Sequence, residues 1–96
     1  MRVISKRKLR EFWEDHPDAE APLLGWHRVA MQADWANFGD VRALYGHADQ
    51  VGRFTVFNVG GNKYRLIVDI HFNRSIIFIH RVLTHKDYDA GDWKSG

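Results

Sequence analysis

The chain of 96 residues contains no cysteine and only two prolines. Without thiols there is no disulfide framework and no thiolate metal site, which fits a reducing compartment. Long hydrophobic runs are also missing. The longest are four residues, such as Ile76-Ile77-Phe78-Ile79, far short of the ~20 that span a bilayer. The opening Met1-Arg2-Val3-Ile4-Ser5-Lys6-Arg7-Lys8 is charged too early to hold the apolar core of a secretory leader. A cytoplasmic location with no membrane contact is therefore the expectation. The only serines are Ser5, Ser75 and Ser95, and none sits in a nucleophile-elbow context. Six histidines are present, but no pair has HxxxH spacing on an expected helix. His80 and His85 lie five apart at a strand end. That is a poor ligand pair, so neither a metal nor another cofactor is expected. Gly60-Gly61-Asn62-Lys63 joins two strands rather than a strand to a helix, so it reads as a hairpin turn and not a phosphate cradle.

What is present is a foldable chain. Apolar residues make up 45% and aromatics 14%, well above the composition of disordered segments. With no repeats, low-complexity stretch or linker, residues 1–96 are expected to form one domain. Leu9, Phe12 and Trp13 recur at helical spacing over residues 6–15, ended by His16-Pro17. Asp18 can cap a second helix, whose stripe of Leu23, Trp26, Val29, Ala30 and Ala33 spans residues 19–33. Asn37 caps a short third helix that Gly46 stops. The period then changes. Residues 54–59 form a β-rich run, and Gly60-Gly61-Asn62 turns the chain. Tyr64, Leu66, Val68, Ile70 and Phe72 then alternate, facing the helices, with Arg65, Ile67, Asp69 and His71 on the other side. Residues 76–83 are apolar on both faces and read as an interior strand. Val3-Ile4 suits a very short edge strand or a helix lead-in. Residues 85–96 read as polar and irregular, the last few without fixed structure. The expected fold class is α+β: N-terminal helices on one face of a small twisted antiparallel sheet, a three-stranded meander with a possible short N-terminal strand. Trp13 and Trp26 belong to helical core stripes, leaving Trp35 and Trp93 as free to serve a partner.

The formal net charge is only +2, but it is unevenly spread. Residues 1–10 hold five bases and no acid, and residues 11–50 have a net charge of −6. Residues 51–86 carry Arg53, Lys63, Arg65, Arg74, Arg81 and Lys86 against Asp69 alone. A basic sheet suggests a polyanionic partner, although the same residues would also solubilise exposed strands. Around that sheet lie Lys63, Arg65, His80, Arg81, His85, Lys86 and Tyr88. The set suits RNA phosphodiester cleavage, because RNA carries its own nucleophile in the 2′-OH. A base must take that proton, cations must stabilise the phosphorane, and an acid must protonate the departing 5′-oxygen. Histidine can do either proton job near neutrality, and tyrosine can stack on a splayed base. Each residue also has a structural reading. His80 could be a hydrogen-bonded core histidine, Arg81 could pair with Asp69 or a helix acid, and the Tyr88 ring could pack on the core edge.

Two stretches, Val56-Phe57-Asn58-Val59-Gly60-Gly61-Asn62-Lys63-Tyr64-Arg65-Leu66 and Thr84-His85-Lys86-Asp87-Tyr88-Asp89, resemble the signature segments of the HigB family of toxins, within the RelE-like group of type II toxin–antitoxin systems. Arg7-Lys8-Leu9-Arg10-Glu11-Phe12-Trp13, His16-Pro17-Asp18-Ala19 and Ala33-Asp34-Trp35 resemble it too. The likeness covers residues 1–89. It implies a RelE-like fold whose open sheet face grips mRNA, and endoribonuclease activity without a metal, usually in the ribosomal A site. It also implies a HigA-type helix-turn-helix antitoxin, so that DNA is met only through the toxin–antitoxin complex. Residue by residue, Lys63 and Arg65 match basic hairpin positions that would contact phosphate. His85 matches the histidine of the Thr-His segment, as general acid or base, and Tyr88 the aromatic that orients a base. Asn62 and Lys86, in the same segments, join as RNA contacts. Position 80 is more often arginine in the family, so His80 reads as a proton-transfer group or a weaker phosphate contact. Arg81 has no fixed basic counterpart, and its side chain is expected to point away from the active face. Two rivals remain: a non-catalytic RNA-binding module on the same basic sheet, and a protein-interaction domain.

Overall fold

The computed structural model describes residues 1–95. Its elements run β1 Arg2–Ile4, α1 Lys6–Asp15, a 3-10 turn Pro17–Ala19, α2 Glu20–Gln32 and α3 Phe38–Leu44. They continue with β2 Asp49–Val51, β3 Phe54–Val59, β4 Tyr64–His71, a 3-10 turn Phe72–Arg74, β5 Ile76–Thr84, α4 His85–Ala90 and a final 3-10 turn Asp92–Ser95. The five strands form one sheet in the order β1-β5-β4-β3-β2. Only β1 runs parallel to its neighbour, pairing Arg2–Ile4 with Ile76, Ile77 and Phe78 of β5. The fold is therefore α+β, with helices on a mixed sheet instead of a purely antiparallel one.

The α1–α3 expectations match the structure closely. Asn37 caps α3, its Oδ1 accepting from the Asp40 N–H at 2.9 Å. Gly60 and Gly61 take φ of +62° and +69° in the β3–β4 turn, conformations that cost glycine little. The alternation along β4 also holds. Tyr64, Leu66 and Val68 sit in the main core with Leu9, Leu23, Trp26 and Phe57, and Ile70 and Phe72 pack against it. Ile67 lies on the other side with Phe54, Val56 and Trp93. β5, flanked by β1 and β4, is an interior strand as expected.

Three expectations are corrected. Asp18 caps no helix, because the chain first makes a 3-10 turn and Asp18 bonds across to the sheet. The tail is not irregular. Thr84 Oγ1 accepts from the Asp87 N–H at 3.2 Å to start α4, and Gly91 at φ +81° ends it. The residues after it form a 3-10 turn, and of the end expected to lack fixed structure only Gly96 lies outside the described residues. Finally, Trp35 and Trp93 are not free. They are 7% and 1% exposed, because Trp35 packs beside Phe57 and Tyr45 and Trp93 folds back onto the open sheet face. The aromatic content of the polar tail thus goes into a second, smaller core.

Candidate nucleic-acid interface

The face of the sheet turned from α1–α3 is built around Phe54, Val56, Ile67 and Trp93, with Val51, Leu83 and Tyr88 packed beside them. A β-bulge shapes it. Ile67 pairs with Arg81 and Val68 with Ile79, which makes His80 the extra residue of β5. Ile79 and Val82 pack into the main core while Leu83 packs into the open-face cluster. The bulge therefore turns both His80 and Arg81 to the open face. Arg81 is exposed there, contrary to the expected outward turn of its side chain.

Ring contacts link the face from end to end. The Arg65 guanidinium lies over the Tyr88 ring at 5.7 Å. Tyr88 stacks on Trp93 at 5.2 Å with 17° between planes, and the Trp93 Nε1–H donates to the Tyr88 carbonyl at 3.1 Å. Trp93 meets Phe54 edge-on at 5.9 Å, and Phe54 stacks on His80 at 4.5 Å. Arg53 lies over the far side of this array, 4.8 Å from the Phe54 centroid, and its Nε is 3.7 Å from Asp69 Oδ2. Asp69 also faces His71 Nε2 at 3.5 Å. The acid once available to Arg81 is thus engaged by Arg53 and His71.

His80 Nε2 approaches the Trp93 carbonyl at 3.5 Å. Burial is the main cause that lowers its pKa. The Trp93 carbonyl opposes that shift, and the positive charges of Arg81, Lys8 and Arg53 add to it. At neutral pH the ring is neutral. With Nε2–H donated to the carbonyl, Nδ1 is left as an acceptor. Burial also raises the Tyr88 phenol pKa, so that group stays protonated and its ring serves as a stacking surface.

The other sequence candidates cluster at the Tyr64/Thr84 end of β4 and β5. His85 is exposed, its backbone N–H donating to the Lys63 carbonyl at 3.0 Å. Its Nδ1 stands 3.3 Å from Asp89 Oδ2, one helical turn on. Among the described residues Nε2 has no bonding partner. Arg65 Nη1 donates to the Asn62 and Tyr64 carbonyls at 3.1 and 3.2 Å, which holds the guanidinium at the hairpin. Asn62 Oδ1 accepts from Asn58 Nδ2 at 3.4 Å. Lys86 is exposed on α4. Lys63 differs from the rest, since its Nζ is paired with Asp18 Oδ2 at 2.9 Å. The Tyr64 hydroxyl donates to the other Asp18 oxygen. These two bonds, the tyrosine's first, hold the Asp18 carboxyl below its ordinary pKa, and Asp18 raises that of Lys63.

The structure thus brings Arg65, Tyr88 and His80 into one array through Phe54 and Trp93. His85, Asn62 and Lys86 sit at its hairpin end, and the Lys63 ammonium is held aside by Asp18. Sequence reasoning missed Phe54, Trp93, Arg53 and Asp89 as members. A lone tryptophan in a polar tail was the available signal for Trp93, and the His85/Asp89 i,i+4 spacing the signal for Asp89. Among the described residues no group of three or more His, Asp or Glu side chains is placed to hold a metal ion, and no helix is long and apolar enough to cross a membrane.

Chemically, the array offers flat surfaces for bases, arginines for phosphate and imidazoles for proton transfer. Comparison with known proteins points the same way. The family described as HigB_toxin, RelE-like toxic component of a toxin–antitoxin system, matches residues 19–91. The chain is 26% identical over 92 residues to the mRNA interferase toxin HigB of Escherichia coli (strain K12), covering 93% of this chain and 88% of that protein. The mRNA interferase HigB of Shigella flexneri gives the same identity and coverage. That of Escherichia coli O6:H1 is 27% identical over 92 residues, with 93% and 89% covered.

Proposed function

The chain belongs to the HigB family of toxins, and on that footing we propose that it is the toxin of a type II toxin–antitoxin pair, an endoribonuclease that cuts mRNA on the translating ribosome. The observation that carries the reading is the unbroken ring array from Arg65 through Tyr88, Trp93 and Phe54 to His80. Arg53, Arg65 and Arg81 stand around it. Aromatic surfaces bind bases by stacking, and arginines hold phosphates through paired N–H groups.

His85 takes the proton of the ribose 2′-OH through Nε2, while Asp89 orients the ring by accepting from Nδ1. The freed 2′-oxygen bonds to phosphorus and the P–O5′ bond breaks. A 2′,3′-cyclic phosphate and a 5′-hydroxyl result, the departing oxygen taking its proton from an acid at the site. Arg65 and Lys63 stabilise the phosphorane. Lys63 leaves Asp18 to do so at little cost, because both partners of that pair are about half exposed or more and exposed ion pairs contribute little. His80, held neutral, accepts from a ribose hydroxyl through Nδ1. Tyr88 stacks on a base, and Asn62, Lys86 and Arg81 contact the RNA around it. No metal or other cofactor takes part in this scheme. The antitoxin is a HigA-like helix-turn-helix protein, and DNA is met only through it. The chain acts as one domain in the cytoplasm.

The test is induction of the wild-type chain, and separately of a Lys63→Ala/His85→Ala variant, in a bacterial host with mapping of mRNA 5′ ends. In-frame cuts within translated regions, lost in the variant, are expected. Intact mRNA with soluble wild-type protein and no growth arrest would sink the reading. RNA binding without cutting would replace it by the non-catalytic RNA-binding module.

A further inference from the structure

Next to the hairpin, outside the ring array, the sheet edge opens. β2 covers β3 only from Phe54 to Val56. Beyond that register the chain leading into β2 peels away, and a cavity of about 420 Å³ fills the gap. Its walls are Tyr45, His47 and Ala48 on one side and Phe57, Asn58 and Asn62 on the other. No carboxylate, lysine or arginine lines it. Val51 and Phe54 flank the two-residue β2–β3 turn, so alternation along β3 turns the Asn58 backbone N–H and C=O outward, toward the uncovered edge.

We propose that this cavity is a nucleobase pocket, which receives one splayed base of the RNA beside the cut. The proposal rests on the ribonuclease reading above. Three observations carry it. First, the lining has no Asp, Glu, Lys or Arg yet offers paired donors and acceptors. The Asn58 edge offers one of each, and the Asn62 amide NH₂ is unpaired where its Oδ1 meets Asn58. A neutral ligand with donor and acceptor side by side fits this; a phosphate or an ammonium does not. A nucleobase edge has that pattern. Second, the floor is aromatic. The Tyr45 ring packs edge-on to Phe57 at 5.1 Å, and the exposed His47 is among the lining residues. The volume lies in the lower part of the roughly 300–1,000 Å³ range of small-molecule sites. Third, the location is right. Asn58 pairs directly across the sheet with Arg65, so the pocket lies one strand from the proposed phosphate contact, as a base lies beside its own phosphate.

The pocket therefore reads sequence, while Arg65 and His85 supply strength and chemistry. Two measurements test it. In the first, NMR spectra of the full chain are titrated with adenosine, guanosine, cytidine and uridine separately. Shifts at His47, Asn58 and Asn62 for one nucleoside over the others are expected, reduced in His47→Ala. In the second, cut sites in a translated mRNA with a randomised coding stretch are compared between the wild type, Asn62→Asp and His47→Ala. Asn62→Asp removes the free amide donor and leaves the backbone edge in place, and the base preference at one position beside the cut should fall about tenfold in it, the discrimination one good pair of edge contacts supplies. His47→Ala removes an exposed loop ring that makes no hydrogen bond or ring contact among the described residues, so it keeps the test valid if Asn62→Asp folds poorly. A wild type that cuts RNA with the same base profile as both variants, and shows no nucleoside shifts in the pocket, overturns the proposal. Nucleoside shifts without any cutting of the translated mRNA would leave the pocket standing and overturn the ribonuclease reading instead.

Discussion

On the helix side of the sheet, residues from every helix but α4 close over β3, β4 and β5 in one continuous buried cluster that includes Leu9, Leu23, Trp26, Phe57 and Leu66. On the other side only Phe54, Val56, Ile67 and Trp93 are buried together, and arginines surround them. The first face is sealed by three helices joined through short loops. The second is covered, among the described residues, by α4 and the 3-10 turn after it, through Tyr88 and Trp93. A face held by many segments is stable whichever one fluctuates. A face covered by one short segment opens at the cost of that segment. The same strands thus present a rigid platform below and an adaptable aromatic surface above, which suits the grip on a flexible polyanion proposed here.

The sharpest break of that contrast is Leu66→Ala, at a fully buried site under the helices. It should destabilise the chain by about 2–5 kcal/mol, through lost burial and the cavity left behind, and denaturant unfolding measures it. Trp93→Ala removes a side chain equally buried, yet its loss should be smaller, about 1–2 kcal/mol, because the tail beyond β5 can detach as a unit. Hydrogen exchange should show protection lost over residues 85–95 and kept in β4. An equal global cost for both variants, with protection lost everywhere, would mean that the two faces are one cooperative core.

That contrast also marks what could be read from sequence. α1–α3 and the β3–β5 meander each carry enough periodic residues to declare themselves. β2 is only Asp49-Gln50-Val51, too short to alternate, and it exists because β3 offers an edge. β1 joins β5 in parallel across the whole chain, a long-range pairing that no local pattern encodes. Of the site, Arg65, His85 and Tyr88 were legible because they lie in motif segments. The bulge that turns His80 and Arg81 to one face is a register event without a local signature. Trp93 and Arg53 come to the site only through folding of the tail and the β2–β3 turn.

A subtler probe is pH. His80 has a lowered pKa in the folded chain, chiefly through burial. As pH falls below the ordinary histidine value of about 6.5, the unfolded chain takes the proton first, so stability is whole above that value and declines as pH drops through the folded pKa. Asp18, also lowered, adds its own loss further into acid, in the carboxylate range. His80→Phe should flatten the slope just below neutrality and leave the carboxylate part intact. If cleavage depends on neutral His80, its acid limb in the wild type should lie below 6.5, and it should move up in Trp93→Ala, where the ring loses its cover. A limb that stays in place would separate His80 from the tail.

The smallest effect concerns Lys63, a candidate cation that the fold pairs with an acid. Its ammonium is held by Asp18, and both side chains are well exposed, so Asp18→Asn should lower Tm only slightly. The neutral amide can still accept from the Tyr64 hydroxyl, which preserves the local geometry while releasing the lysine. A released Lys63 can then meet an RNA phosphate with no carboxylate competing. The wild type should therefore bind RNA slightly more weakly than the Asp18→Asn variant. The dependence of affinity on salt should also steepen in the variant by up to one counterion, since one more phosphate is neutralised. Lys63→Ala should lower that slope by the same amount if the lysine reaches phosphate in the wild type. An Asp18→Asn slope equal to that of the wild type, with Lys63→Ala also equal, would confine Lys63 to the helix side and leave the phosphate to Arg65 and the arginines of the open face.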